Sequence, residues 1–306
     1  MERKDLERLK EHPRITASPA DHGERAEPRG RPATLRPRVA QRCLHLFAGR
    51  SRAGDVAEAL SRLGWTCVDV DILRKNAKDQ DMLCDAAWAR WTSRLKSGEF
   101  GFVLAGTPCS SFSATRNHPG GPPPVRSAQH IEGLPTLRGA HKEEVRKANV
   151  LAARTAEACD IVASLGGGFA VENPEPREDQ PSLFRMPALK ALASKHGAKM
   201  ASFDQCMYGS PSTKPTSILY HRGGFVLLRD RCNHPRRWRQ DPEGNWIKTA
   251  HDSIWGKREG EEWASRAAAQ YPPALCTALA KCIAVVQPVR AEEDARARGS
   301  RPGGAP

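Results

Sequence analysis

The stretch GFVLAGTPCSSFS, from Gly101 to Ser113, decides the fold class of this chain. Its apolar run from Phe102 to Ala105 is typical of a buried strand in a parallel sheet. Pro108 ends that strand, because proline lacks the amide hydrogen that a further ladder bond would need. Cys109 follows at the edge where parallel α/β sheets bind ligands. A buried structural cysteine is the alternative, since free cysteines are among the most buried residue types.

The charge of the chain favours a polyanionic partner. The 306 residues carry a formal net charge of +13, of which residues 1–40 contribute +3 and residues 288–306 contribute +1. The remaining +9 lies on residues 41–287, and a basic folded region predicts binding to nucleic acid. A basic surface that serves solubility alone is the alternative.

The cysteine content indicates a reducing compartment. Nine cysteines, an odd number, are scattered without a paired framework, and no hydrophobic signal segment precedes them. No run approaches the ~18 apolar residues that a membrane span requires. We therefore expect a soluble intracellular protein, in the cytoplasm if it is prokaryotic or viral and in the nucleus if it is eukaryotic. It is expected to bind no membrane, and a monomer is the default oligomeric state.

Composition predicts three parts along the chain. Residues 1–40 are rich in charge, proline and glycine and are predicted to be a disordered arm, as is the tail over 288–306. Residues 41–287 are predicted to form a single domain. Within it, 114–141 is a long loop rich in glycine and proline, and 221–260 is a small basic region.

The first ordered segment has the pattern of a nucleotide-binding unit. A strand ends in the turn Phe47-Ala48-Gly49, a short helix follows, and a second strand ends at Asp71. In such units the acid accepts hydrogen bonds from ribose hydroxyls, although an ordinary strand-end role for Asp71 is the alternative. Ser51 and Arg52 interrupt the glycine pattern that cradles a pyrophosphate, which favours a cofactor without one. Asp81 precedes a predicted helix, and its simplest role is an N-cap.

A second reactive side chain follows another predicted buried strand. The segment Phe169 to Pro174 is apolar up to Glu172 and is then stopped by proline. Because parallel strands end at the same edge of a sheet, Glu172 and Cys109 are predicted to face one crevice. A buried carboxylate is costly to desolvate unless it has a partner or a chemical role.

Residues 221–248 interleave arginines with tryptophans, a composition that suits phosphate contacts and base stacking. A charged surface hairpin explains the same residues equally well. Cys232 and His234, with Cys206 and His221 available, could form a zinc site. No pair has a CxxC spacing, so we predict no metal.

Taken in order, these motifs resemble the cytosine-C5 methyltransferases, which use S-adenosylmethionine, over roughly residues 42–220. Four short motifs carry the resemblance: the cofactor-loop motif Phe47-Ala48-Gly49, the catalytic motif Pro108-Cys109 with Phe112-Ser113, the motif Glu172-Asn173, and the later motif Tyr208-Gly209, Pro211 and Lys214. The chain departs from the family at Ser51-Arg52, where the family has two glycines. It also departs at Lys214, where the family has an arginine.

The resemblance implies a Rossmann-like class I methyltransferase fold, with a mostly parallel, doubly wound sheet and helices on both faces. It implies that the Cys109 thiolate, activated by a lowered pKa, adds to C6 of cytosine. Glu172 would then hold the proton at N3, so that C5 can accept the methyl group. In a duplex the cytosine would have to leave the base stack.

The remaining roles come from the same resemblance. The implied contacts to S-adenosylmethionine are Phe47, Ala48, Gly49, Gly54, Asp71, Asp81 and Pro108. The implied contacts to DNA are Ser113, Asn173, Lys214, Arg236, Arg237 and Trp238. Two alternatives stay open: a cytosine-C5 methyltransferase acting on RNA, and a nucleic-acid-binding module that has lost turnover. An amino-methyltransferase is disfavoured, because Asn173-Pro174-Glu175-Pro176 lacks the aromatic residue that its motif requires.

Overall fold

The structure is a computed structural model that describes residues 40–75, 77–117, 121–240, 244–252, 254 and 269–286. The predicted arm, apart from residue 40, and the predicted tail lie outside the described residues. The sequence also predicts a closing helical stretch from Glu262 to Val286, interrupted by Tyr271-Pro272-Pro273, of which the structure describes only residues 269–286. In the described part of the chain, no helix combines the length and the apolar run needed to cross a membrane.

A six-stranded sheet forms the centre of the described region, in the order β2-β1-β3-β4-β6-β5. Its strands are β1 (Arg42–Leu46), β2 (Thr66–Val70), β3 (Phe102–Ala105), β4 (Gly168–Pro174), β5 (Lys199–Asp204) and β6 (Pro215–His221). The first four strands pair in parallel, and β6 is antiparallel to both of its neighbours. The predicted mostly parallel α/β sheet is confirmed.

Helices cover both faces of this sheet. They are α1 (Val56–Ser61), α2 (Ala77–Gln80), α3 (Asp85–Lys96), α4 (Gly139–Ser164), α5 (Pro187–His196) and α6 (Pro273–Ala284). Successive side chains of a strand point to opposite faces, so Leu44 packs in the core formed with α3, α4 and α5. Its neighbour Cys43 packs in the second core, formed with α1 and α6. Both faces are therefore buried, which explains why the strands are apolar runs rather than alternating ones.

The direction of winding reverses between β1 and β3. From β1 the chain adds β2 on one side, whereas β3 and β4 follow on the other side. In open α/β sheets a crevice forms outside the carboxyl ends of the strands at such a reversal. The loops that border it here begin at Phe47, after β1, and at Gly106, after β3.

The predicted loop over 114–141 is shorter and more structured than the sequence indicates. A 3₁₀ turn covers Ala114–Asn117, and α4 begins at Gly139, inside the predicted loop. Arg126 is buried: its Nε donates to the Ser111 hydroxyl at 3.1 Å, and its guanidinium lies 4.1 Å from the centre of the Phe112 ring. Arg126 therefore holds an irregular segment against the 3₁₀ turn that follows Cys109. The segment has no periodic sequence pattern, so the sequence did not predict this order.

A separate two-stranded antiparallel sheet lies within the predicted basic region. It consists of β7 (Arg237–Gln240) and β8 (Trp246–Thr249). Trp238 pairs with Lys248, and Gln240 pairs with Trp246. Directly paired residues share one side of a ribbon, so both tryptophans and the lysine lie on the same face. We call these two strands the basic hairpin.

Candidate active site at the carboxyl edge of the sheet

Cys109 lies where the sequence places it, just beyond the carboxyl end of β3. It is half-buried and precedes a 3₁₀ turn, Ser110–Phe112, which closes with a 2.9 Å bond from the Phe112 amide to the Cys109 carbonyl. Burial raises the pKa of its thiol, the Lys214 ammonium lowers it, and the Glu172 carboxylate raises it. The lowered pKa implied by the family resemblance is not found, because desolvation outweighs the effect of one lysine.

Glu172 is buried at the carboxyl end of β4, with 8% of the residue exposed. Its Oε2 accepts a hydrogen bond from the Tyr271 hydroxyl at 2.9 Å. Its Oε1 is buried and has no hydrogen-bond partner among the described residues. Buried polar atoms are satisfied in the great majority of cases, so an orphaned carboxylate oxygen indicates a site that a ligand or water completes.

Tyr271 is the site residue that the sequence did not reveal. It lies two residues before the start of α6, and its hydroxyl donates to Glu172 in β4. Burial and the nearby Glu172 carboxylate raise the pKa of Tyr271 well above 10, so the phenol keeps the proton that it donates. A Cβ at Gly106 would lie 3.0 Å from the Tyr271 oxygen, so a side chain there would crowd the bond. Two features of the sequence could have drawn attention to Tyr271: it is one of only three tyrosines in the chain, and it precedes two prolines.

Lys214 supplies a positive charge to the same site. Its backbone has a φ of +39°, an unusual conformation for a residue with a side chain. Its Nζ lies 5.7 Å from the centre of the Tyr271 ring, within the range of a cation–π interaction. The amide of Gln205 donates to the Lys214 carbonyl at 3.3 Å, which closes the loop between β5 and β6. The structure thus brings together three of the predicted residues, Cys109, Glu172 and Lys214.

Asn173, for which the resemblance implies a contact to DNA, lies in β4 directly after Glu172. Its side chain is almost fully buried, and its Nδ2 donates to the Thr107 carbonyl at 2.9 Å. The Thr107 hydroxyl is 3.1 Å from that of Thr155 in α4. Asn173 therefore braces the loop that leads to Cys109. Pro108, in that loop, is exposed, and Ser113 is half-buried at the end of the following 3₁₀ turn.

The loop after β1 is held by charged side chains from β2 and the turn beyond it. The Asp71 carboxylate accepts from the amides of Gly49 and Leu73, each at 2.8 Å. The Arg74 Nε donates to the Gly49 carbonyl at 2.8 Å, and its Nη2 lies 3.0 Å from the Asp69 carboxylate. Asp71 therefore has a structural role here, which is compatible with a further ligand contact because a carboxylate accepts several bonds.

Gly49 borders open space, whereas Gly54 is packed. Among the described residues, a Cβ on Gly49 would meet nothing within 4 Å, and one on Gly54 would lie 3.2 Å from the Pro273 Cβ. Phe47 and Gly49 both have left-handed backbone, with φ of +60° and +72°. Ala48 lies between them and donates its amide to the Val70 carbonyl at 3.3 Å. The chain thus turns sharply away from the sheet at the crevice.

The arginine that interrupts the glycine pattern does not fill the crevice. Arg52 donates to the Tyr271 carbonyl, and its Nη2 is 3.7 Å from the Cys276 sulfur in α6. Its guanidinium is therefore directed toward α6. Among the described residues, the arginine at this departure therefore leaves the space beside Gly49 open.

Asp81 is not the N-cap of the following helix, contrary to the simplest interpretation of the sequence. The N-cap position of α3 belongs to Cys84. Asp81 instead accepts from the Leu83 amide at 2.8 Å through Oδ1, and its carbonyl accepts from the Cys84 amide. The local side-chain bond stabilises a turn one residue before the helix and competes with capping.

The predicted nucleic-acid residues of the basic region are exposed. Arg236, Arg237 and Trp238 belong to the basic hairpin or directly precede it, and Trp238 is 63% exposed. Trp246, on the same face, is 65% exposed. Two exposed tryptophans beside a lysine form a surface on which bases can stack.

A scan against protein-family models gives no match to this chain, and a search of curated proteins gives none. The chemistry of the site therefore rests on its own residues.

Proposed function

We propose that this protein transfers a methyl group from S-adenosylmethionine to C5 of cytosine in DNA, on a Rossmann-like class I methyltransferase fold. The observation that carries the proposal is the grouping of Cys109, Glu172 and Lys214 at one sheet edge, with a buried Glu172 oxygen that has no hydrogen-bond partner among the described residues. A nucleophile beside an acid that retains one unsatisfied oxygen suits a substrate that needs covalent addition and proton donation together.

Cys109 is the proposed nucleophile. C5 of cytosine is too poor a nucleophile to accept a methyl group unaided, and a thiolate that adds to C6 makes C5 electron-rich. Once the methyl group is on C5, loss of the C5 proton to a base expels Cys109 as a thiolate. Because burial raises the pKa of Cys109 and Lys214 lowers it, we propose that Lys214 stabilises the thiolate before attack.

Glu172 is the proposed acid. In its protonated form it would donate to N3 of the cytosine through Oε1, and N3 then accepts the electron density displaced by the thiolate. Tyr271 holds the other oxygen at 2.9 Å and so fixes the plane of the carboxyl group. Asn173 keeps the Cys109 loop next to β4 through its bond to the Thr107 carbonyl.

The crevice after β1 is the proposed cofactor site. S-adenosylmethionine, when bound, supplies the methyl group as an electrophilic sulfonium. The open space at Gly49 and the left-handed turn that begins at Phe47 would admit it next to β1, and the Asp71 carboxylate keeps that turn in place. No pyrophosphate cradle is needed for this cofactor.

The basic hairpin supports a nucleic-acid substrate. Trp238, Trp246 and Lys248 lie on one face of this hairpin. The two indole rings can stack on unpaired bases, and the lysine can contact phosphate. We propose DNA as the substrate, and the same enzyme acting on RNA is an outcome that the test distinguishes.

The test is covalent trapping. Cytosine replaced by 5-fluorocytosine lacks the C5 proton, so the adduct with Cys109 cannot be released after methylation. Duplex DNA, single-stranded DNA and RNA with this substitution are each incubated with the protein and S-adenosylmethionine. A denaturation-resistant complex is expected with DNA, with the modified peptide mapping to Cys109.

The matched variants are Cys109→Ala and Cys84→Ala. Cys84 is exposed and serves as the control thiol, so its variant should trap like the wild type. If only RNA forms an adduct, the substrate of the enzyme is RNA rather than DNA. Binding of nucleic acid without any adduct, and without transfer of labelled methyl, would refute catalysis and leave a binding module.

A further inference from the structure

Two cysteines and two histidines come together at the base of the basic hairpin. One ligand atom from each of Cys206, Cys232, His234 and His251 lies within 4.8 Å of the other three. The Cys232 sulfur is 3.0 Å from Nε2 of His251 and 3.6 Å from Nδ1 of His234. His221, the alternative ligand suggested by the sequence, instead stacks on a phenylalanine of β4, with ring centres 5.9 Å apart.

These spacings suit one tetrahedral metal ion. With metal–sulfur and metal–nitrogen bonds of about 2.3 and 2.0–2.1 Å, the edges of the coordination tetrahedron are roughly 3.3–3.8 Å. The 3.6 Å distance from the Cys232 sulfur to His234 lies within that range, and the 3.0 Å distance to His251 lies slightly below it. Two thiolates with two imidazoles form a ligand set that selects zinc, and a full set of four protein ligands is typical of structural sites.

We propose that Cys206, Cys232, His234 and His251 bind one zinc ion, which attaches the basic hairpin to the six-stranded sheet. Cys206 lies in the 3₁₀ turn that follows β5, Cys232 and His234 precede β7, and His251 follows β8. The ion therefore joins both ends of the hairpin to the end of a sheet strand. The prediction of no metal rested on the missing CxxC pair, and here the ligands converge from three separate segments.

The hairpin has a physical need for such a cross-link. Its strands have four residues each, and Trp238, Trp246 and Ile247 are all exposed, so little apolar surface holds it. An isolated two-stranded hairpin is marginally stable in water. A metal that closes its base supplies the missing stabilisation, as in other small domains without a sufficient core.

Backbone contacts already bring the same segments together. The Cys232 amide donates to the Asp204 carboxylate at 2.8 Å, and the Asp252 amide donates to the Pro211 carbonyl at 3.0 Å. Pro211 belongs to the loop that also carries Lys214. The zinc ion would thus fix the position of this loop as well as the hairpin, and this inference is independent of the proposed methyl transfer.

The test measures metal content directly. The 306-residue chain is purified without chelators from zinc-supplemented cells and analysed by mass spectrometry of the metals. About one zinc per chain is expected for the wild type, and Cys232→Ser and His251→Ala should lose it. The exposed residues Cys84 and His130 provide matched controls, and Cys84→Ser and His130→Ala should retain the metal.

Two measurements on the wild-type chain keep the test decisive if a variant fails to fold. Replacement of zinc by cobalt should give the visible absorption of a tetrahedral site with thiolate charge-transfer bands. Removal of the metal should lower hydrogen-exchange protection over 232–252 while the six-stranded sheet keeps its protection. A chain without zinc, unchanged zinc in both ligand variants, a Cys206–Cys232 disulfide, or unchanged protection after metal loss would each overturn the proposal.

Discussion

Replacement of Tyr271 by phenylalanine removes one oxygen atom and, with it, the 2.9 Å bond to Glu172. Both carboxylate oxygens of Glu172 would then lack a hydrogen-bond partner among the described residues, in a residue that is 8% exposed. A hydrogen bond to a charged group contributes about 1.5–3 kcal/mol, and the penalty for an unsatisfied buried acceptor is of the same order. For a domain of this size, that loss corresponds to a fall in the melting temperature of roughly 3–12 °C.

The assay is thermal and urea unfolding of Tyr271→Phe beside Tyr220→Phe. Tyr220 is also buried, but its hydroxyl makes no hydrogen bond within the described residues, so the control removes an equal group without breaking a bond. We expect Tyr271→Phe to be clearly less stable and Tyr220→Phe to stay near the wild type. Equal stability of the two variants would refute the conclusion that this bond holds Glu172.

The same variant separates the stability of the site from its proposed chemistry. If Tyr271 only orients Glu172, then Tyr271→Phe should still form the covalent adduct with 5-fluorocytosine DNA, at a rate lowered by roughly ten-fold or more. Cys109→Ala should form none. A trapping rate equal to that of the wild type, despite lower stability, would show that the carboxyl group needs no orientation by the phenol.

Three further predictions concern other parts of the molecule. Burial opposes protonation of His45, yet its hydrogen bond to Asp69 raises the pKa to about 9. The ion pair of His45 with Asp69 therefore stabilises the folded state fully below pH ~6.5, and this contribution is lost as the pH rises through about 9. Urea unfolding should show that the free energy of unfolding falls across that pH interval, and that it falls less in His45→Gln. The same pH dependence in the variant and the wild type would contradict the ion pair. Glu172→Gln should keep the fold but slow adduct formation by about 10²–10⁴-fold, as expected for loss of a general acid, and near-normal trapping would exclude that role. Trp238→Ala should weaken binding to single-stranded DNA by roughly 5–150-fold through lost stacking, whereas Leu227→Ala, which removes another exposed apolar side chain, should not; equal effects in a fluorescence titration would argue against a stacking face.

Short-range patterns were sufficient to predict the mostly parallel sheet and the placement of Cys109 and Glu172 at one of its edges. The runs at Phe102–Ala105 and Gly168–Pro174 are strands of a mostly parallel sheet, as their continuous apolar character indicates. Each ends at a proline or in a proline-containing turn, so the positions of Cys109 and Glu172 follow from the chain itself. Prediction worked here because a strand buried on both faces leaves a continuous apolar signal in the sequence.

Local patterns were less reliable where side chains rather than backbone decide the structure. The 114–141 loop contains a buried arginine, Arg126, whose contacts to Ser111 and Phe112 order a segment without periodicity. Asp81 forms a local turn instead of the expected cap, because Cys84 starts the helix. Which partner Arg126 or Asp81 contacts depends on residues that are close in the folded structure, and the composition of the segment does not identify them.

The sequence by itself determined that the chain forms a mostly parallel α/β sheet. It also determined that Cys109 and Glu172 lie at the carboxyl ends of two of its strands. Only the tertiary structure decided what surrounds them: Tyr271 meets Glu172 across 99 residues, and Cys206 meets Cys232 and His251 from separate segments. The physical reason is that strand character is set by neighbouring residues. A hydrogen bond or a metal site between distant residues exists only after packing has brought α6 and the basic hairpin to the sheet.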